Sequence, residues 1–379
     1  MTTDQANPET TIPETTIPET MRAALLLGTG GPEMLEVRDD VPVPRPDQGD
    51  VLVRVSACGV NNTDINTRVG WYSRSVTAAT SGDGFAEADL DDVGWGREGL
   101  TYPRIQGADI AGVVVAIGEG ADDGLLGRRV LVDPWLRDRR NPSDRELTGY
   151  LGSERDGGFA QYCTVPSENV YPVSTELTDV ELASFACSWS TAEHMLQRVN
   201  LSAGETIAVP GASGGVGSAL VQLAKLRGAR VVAIAGASKL KRVLELGADV
   251  AVARETDNPV VAAVEANGGH FDAVADIVGG VDFGGWLEAL NRGGRYVTSG
   301  AIAGPIVDLD LRTLYLRDLQ LHGATVYEPK VFADLVDHIE RAQIRPVVGG
   351  TFPLEEIHNA QEAFGSKDHV GSIVITIPR

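Results

Sequence analysis

Cysteine is scarce: Cys58, Cys163 and Cys187 are the only three in 379 residues, scattered and odd in number. Neither a disulfide framework nor a four-cysteine zinc knuckle can be built from them, which points to an intracellular chain. Long apolar runs are missing too. No stretch reaches the roughly 18 to 20 residues of a membrane span, and the N-terminus has neither the basic start nor the apolar core of a signal peptide, so a cytoplasmic protein without a membrane partner is expected. Positive charge is in deficit. Against 53 Asp and Glu there are 32 Lys and Arg, a formal charge of −21 that repels phosphate backbones and excludes a general nucleic-acid binder. The six histidines show no ligand-like spacing, and neither Gly-x-Ser-x-Gly nor His-Glu-x-x-His occurs, which leaves hydrolase chemistry without candidates.

What is present suffices for two domains, since one compact domain takes about 100 to 200 residues. Residues 1–20 carry the repeat Glu-Thr-Thr-Ile-Pro, whose prolines break every ladder, and are expected to be a disordered tail. From Met21 to about Val173 short strands alternate with Gly and Pro: 50–56, 110–117, 128–132 and 160–165 predict a mostly β, barrel-like unit. From Ala203 to about Thr325 the texture changes. Apolar strands at 206–209, 230–234, 271–275, 294–297 and 319–322 alternate with helical spacing at 216–226, 239–246, 259–266 and 283–290, which predicts an α/β doubly wound parallel sheet. A helix at 331–341 and a strand at 371–377 are expected to return to the first domain, giving 21–185 with 326–379 as one domain and 186–325 as the other.

The strongest chemical signal is Val209-Pro-Gly-Ala-Ser-Gly-Gly-Val-Gly217, directly after an apolar strand and before a helix. Gly214, Gly215 and Gly217 permit a tight turn and close approach to a pyrophosphate, with Ser213 and Val216 in the same loop and amide donors at the helix N-terminus. A dinucleotide is expected there. In NAD-binding versions an acid at the end of the second strand accepts hydrogen bonds from the ribose. Here that position falls on Ala235 or Gly236, while Ser238 and Lys239, with Lys241 or Arg242 nearby, suit a 2′-phosphate. NADPH is therefore the expected cofactor.

The order of parts resembles the medium-chain dehydrogenase/reductase superfamily, through Cys-Gly-Val-Asn-Asn-Thr-Asp at 58–64, Gly-Ala-Asp-Ile-Ala-Gly at 107–112, Gly-Gly-Phe-Ala-Gln-Tyr at 157–162, the phosphate loop, Leu-Gly-Ala-Asp at 246–249 and Asp-Ile-Val-Gly-Gly at 276–280. The resemblance implies a GroES-like catalytic domain beside a Rossmann domain. It places Asn61, Ala108 and Cys187 where zinc alcohol dehydrogenases hold their catalytic metal. An amide and a methyl group cannot replace a thiolate and an imidazole, so no metal is expected. The cysteines of the structural zinc loop are absent from 135–150. The pattern with Asn61 resembles the zinc-free quinone oxidoreductase branch.

Without a Lewis acid, an electron-poor quinone or enone accepts hydride more readily than an alcohol donates it, because hydrogen-bond donors can hold the resulting oxyanion. Asn61 and Thr63, the latter matching the first member of a proton relay in alcohol dehydrogenases, are the candidate donors, with Tyr72 as a proton source. Thr191, at the start of an interdomain helix, and the Ser299-Gly300 turn are the implied neighbours of the nicotinamide. An insertion between Trp71 and Tyr102 starts at the rim of that site, as a lid, a subunit contact or a surface loop. A homodimer through the edge strand near 319–325 is implied, with the apolar stretch 309–316 before it. Two other readings remain open: an alcohol dehydrogenase using Cys187, Asp109 and a further ligand on a metal, and a non-catalytic NADPH-binding protein.

Overall fold

The computed structural model describes residues 17–80 and 99–378. Most of the expected tail and the middle of the 71–102 insertion lie outside the described residues.

Asp50–Val60 is the spine of the first domain: in a seven-stranded sheet it pairs antiparallel with Asp109–Ile117, Tyr162–Pro166 and Ser372–Thr376. Its near-continuous burial follows from the core it shares with Ile110, Val114, Val165, Ile373 and Ile375 of these partners. Ser372–Thr376 pairs in turn with Val348–Pro353, so the returning chain extends this sheet by two strands. The helix Pro329–Glu340 instead packs on the linking helix Ala186–Arg198, and its Phe332 and Leu335 share a core with Trp189 and Leu220.

The second domain is a six-stranded parallel sheet in the order Val250–Ala253, Arg230–Ala235, Thr206–Pro210, Phe271–Asp276, Leu290–Thr298, Gln320–Gly323. Strands covered by helices on both faces read as unbroken apolar runs, which is why Val-Val-Ala-Ile at 231–234 is fully buried. The direction of strand addition reverses between Thr206–Pro210 and Phe271–Asp276, and the crevice beyond their C-terminal ends is where such sheets bind ligands. Pro210 and Ile277 line it. Val250–Ala253 was not expected from the sequence. It has four residues at an edge, packed against the helices Leu240–Glu245 and Pro259–Asn267.

The two domains are stitched at the cleft. Gly214 forms a parallel bridge with Gly371, whose N–H donates to Ser213 O at 2.9 Å. Gly371 has φ +84°, and a Cβ there would stand 2.0 Å from Val347 O. At the opposite rim Thr80 donates its N–H to Ile302 O at 3.1 Å. No helix among the described residues is long and apolar enough to cross a membrane.

Candidate active site

A cleft of about 450 Å³ runs between the domains. Of the residues expected to line it, Asn61, Thr63, Tyr72, Thr191, Ser213, Gly214, Gly215, Val216, Lys239, Ser299 and Gly300 do so; Gly217 and Ser238 do not. Gly217 is buried under the loop, where a Cβ would meet Gly211 O at 2.1 Å. Ser238 is exposed on the turn after the second strand. Thr191 sits in the middle of the helix Ala186–Arg198 rather than at its start, because the helix begins one and a half turns earlier at the Phe185 packing site.

The phosphate loop enters through Gly211 at φ +74° and turns into the helix Gly215–Leu226. Gly214 leaves the mouth open, since a Cβ there would have only Gly211 O, at 3.8 Å, as a neighbour. Unpaired amides at a helix start beside such an opening suit a pyrophosphate. Cationic groups collect at the same end: Lys239, Arg254 and Lys367 line the cleft, and the Lys239 ammonium donates to the Lys367 carbonyl. Lys367 donates to Asn62 Oδ1 at 3.0 Å, and its Nζ stands 3.7 Å from the centre of the Phe364 ring. Burial and the neighbouring Lys239 lower its pKa to about 8. Lys241 and Arg242 are engaged with Glu245 and do not line the cleft. The acid position itself, Ala235 or Gly236, carries no carboxylate, but one reaches the turn from the neighbouring strand. Glu255, from beyond the third strand, accepts the Ala237 N–H at 3.0 Å and the Arg254 Nε–H at 3.1 Å.

At the other end, Asn61 caps the helix Asn62–Val69 and is gripped twice. Its N–H donates to Asp64 Oδ2 at 2.8 Å, a capping-box contact, and its side-chain Nδ2 donates to Asp109 Oδ2 at 3.0 Å. Asp64 also accepts Gly107 N–H at 3.2 Å, and Asp109 accepts Cys187 N–H. Burial raises both carboxyls to about 7, and the charge of Asp109 adds to the rise at Asp64. Tyr72 is hydrogen-bonded to Thr63 and Asn66, and burial pushes its hydroxyl up to about 12, so it stays protonated. The Cys187 thiol is hydrogen-bonded to Tyr150 and held well above its ordinary pKa by burial and by Asp109.

These residues do not fit a catalytic zinc. Asp109 spends both oxygens on N–H donors, Asn61 turns its amide nitrogen to Asp109 and Ala108 has no donor atom, so Cys187 alone among these positions offers a zinc ligand. The glycine cradle and the cationic cluster do fit a dinucleotide.

Two family models match the two halves of this architecture: the alcohol dehydrogenase GroES-like domain over residues 47–175 and the zinc-binding dehydrogenase over residues 215–341. The chain is a member of the medium-chain dehydrogenase/reductase superfamily. It is 28% identical over 367 residues to a quinone oxidoreductase of Lama guanicoe, covering 94% of this chain and 98% of that one. To an alcohol dehydrogenase of Geobacillus stearothermophilus it is 30% identical, covering 90% of this chain and 96% of that one. A crystal structure from Sinorhizobium meliloti 1021, provisionally assigned as an alcohol dehydrogenase, superposes with a TM-score of 0.86 at 46% identity, covering 96% of this chain and 98% of that one. The quinone oxidoreductase-like reading of the fold stands, and with it an oxidoreductase.

The sequence reading passed over Asp109 as a partner of Asn61, over Arg254 and Lys367, and over Trp135 and Tyr150, all of which the fold brings to or beneath the cleft. Lys367 and His369, a basic pair just before the last strand, are the hint in the sequence that the return adds to the cationic end signalled by Lys239.

Proposed function

We propose that this medium-chain oxidoreductase is a metal-independent, NADPH-dependent reductase of quinones or α,β-unsaturated carbonyl compounds. The observation that carries the reading is the Asn61 amide pinned to Asp109 where a metal ligand would stand. A bound nicotinamide supplies a hydride. Around it, Ser213, Gly214, Gly215 and Val216 would hold the pyrophosphate, with Gly217 packing the loop; Lys239, assisted by Lys367 and Arg254, would hold the 2′-phosphate; Thr191, Ser299 and Gly300 would flank the ring. Asn61 and the Thr63 hydroxyl orient the substrate oxygen and stabilise its developing charge. Tyr72 Oη holds the proton that neutralises it, backed by hydrogen bonds with Thr63 and Asn66. Three free thiols fit a reducing cytoplasm.

NADPH oxidation against a panel of quinones, enones and aldehydes, with metal content measured on the same sample, tests the reading. Far less than one zinc per chain and full activity in chelator are expected; stoichiometric zinc whose removal abolishes turnover would move the protein to alcohol dehydrogenase chemistry.

A homodimer belongs to the same proposal. Among the described residues no strand pairs with the outer side of Gln320–Gly323, and beside it Leu311 is 64%, Tyr315 62% and Leu316 57% exposed, a surface that soluble proteins normally cover. Light scattering at micromolar concentration should give twice the chain mass of 40.1 kDa, and Leu316→Glu should halve it; a monomeric wild type would contradict the edge pairing.

A further inference from the structure

The stretch where zinc-bearing relatives carry a metal-held lobe forms here a short hairpin, Trp135–Leu136 paired with Gly149–Tyr150. Trp135 and Tyr150 are cross-strand partners, packed edge to face with ring centres 4.7 Å apart, and both line the cleft. What fixes them is a buried polar knot. Asp133, 1% exposed, accepts the Trp135 N–H at 3.1 Å and the Tyr327 hydroxyl at 2.9 Å, and pairs with Arg137 at 2.8 Å. The Trp135 carbonyl accepts from Asn169 at 2.7 Å and from Arg137 at 3.1 Å. Tyr327 closes the knot by packing its ring edge to face on Trp135, with centres 6.4 Å apart.

Both backbone polar atoms of Trp135 are thus taken by a network with little freedom, which makes its indole a rigid wall rather than an adaptable one. Across the cleft stands a second aromatic pair, Trp71 and Tyr72, with ring centres 5.6 Å apart. No charged side chain that lines the cleft comes from the Asn61 to Tyr72 segment or from this hairpin; among the described residues Lys239, Arg254, Asp282, Lys367 and His369 supply them, from the strand ends and the return that form the nucleotide side. A site with two aromatic pairs and neutral donors favours flat rings that stack on them over linear chains that do not.

We propose that Trp135 and Tyr150 form the specificity-determining wall of the substrate site, that they select a planar ring over linear unsaturated compounds, and that Asp133, Arg137 and Tyr327 are its positioning residues. This rests on the reductase reading for the identity of the site, while its binding test does not.

Calorimetric titration of the protein saturated with NADP⁺ should show 9,10-phenanthrenequinone binding at least about tenfold tighter than crotonate. Trp135→Ala should weaken phenanthrenequinone by about tenfold or more and leave the nucleotide dissociation constant within about twofold, and Trp135→Phe should restore most of the loss. Tyr327→Phe, which deletes only the hydroxyl to Asp133, should raise the KM for phenanthrenequinone several-fold with kcat nearly unchanged, whereas general damage would lower kcat and nucleotide affinity together. Crotonate binding as tightly as the quinone, or Trp135→Ala and Tyr327→Phe both leaving quinone affinity at the wild-type value, would overturn the wall. If the quinone binds as described but is never reduced, the reductase proposal fails and the wall stands.

Discussion

Gly217→Ala should cost at least about 100-fold in NADPH affinity, near 2.7 kcal/mol. The added Cβ would lie 2.1 Å from Gly211 O and 2.6 Å from Ala212 Cα, both backbone atoms, so the helix Gly215–Leu226 has to move off the strand that precedes it. Gly211 cannot yield easily, because its φ of +74° already needs a glycine. The amides that would face the pyrophosphate move with the helix, and the melting temperature should fall as well. Gly214→Ala separates the two effects. Its φ of −78° suits any residue and its Cβ would meet nothing closer than 3.8 Å, so the variant should melt like the wild type while binding NADPH weakly. Wild-type affinity in Gly217→Ala, measured by fluorescence titration, would mean that the cofactor does not use this loop.

Lys239→Glu should invert the choice between the two nicotinamide nucleotides, with NADPH weakened by about 100-fold and NADH changed by less than about threefold. One charge-assisted phosphate contact contributes roughly 1.5 to 3 kcal/mol, and a carboxylate in its place adds repulsion. The reversal should be sharp because Glu255 already stands by the turn, committed to Ala237 and Arg254; a second acid would leave Arg254 and Lys367 as the only balancing charges on the cleft wall. Lys367 makes the preference depend on pH. Its pKa is lowered to about 8 by burial and by Lys239, so the cationic form that attracts a phosphate prevails below that value and is lost as the pH rises through it. NADPH affinity should therefore fall roughly tenfold between pH 7 and pH 9, while NADH affinity stays level. A flat NADPH profile would remove Lys367 from the phosphate site, and equal wild-type affinities for the two nucleotides would remove the whole cluster.

Much of this was legible in the chain itself. The alternation of apolar runs and 3.6-residue spacing after Ala203 specifies the parallel sheet locally, since its central strands are buried on both faces and its helices on one. The loop from Val209 to Gly217 carries its meaning in the glycines. What escaped was whatever depends on distant segments meeting. Lys367 and Lys239 are 128 residues apart in their hydrogen bond, and Asp133 and Tyr327 are 194 apart; no periodicity links such pairs. Glu255 was missed for the same reason, because only the pairing of Val250–Ala253 beside Arg230–Ala235 brings it to the turn. The helix Asn62–Val69 was hidden by its composition, as Asn, Thr and Asp read as a turn until the capping box of Asn61 and Asp64 is seen to start a helix.

The bridge between Gly214 and Gly371 bears on the order in which the molecule can become competent during synthesis. The nucleotide sheet ends at Gly323 and could assemble once its last strand has been made. Its phosphate loop would then still lack the strand that fixes it from outside, together with Lys367 and Asn62 in contact. A ribosome-bound chain halted before Gly371 would have a glycine-rich loop held on one side only, so cofactor capture is expected to come after the Ser372–Thr376 strand has entered the barrel. Nucleotide uptake would mark the joining of the two domains rather than the folding of either.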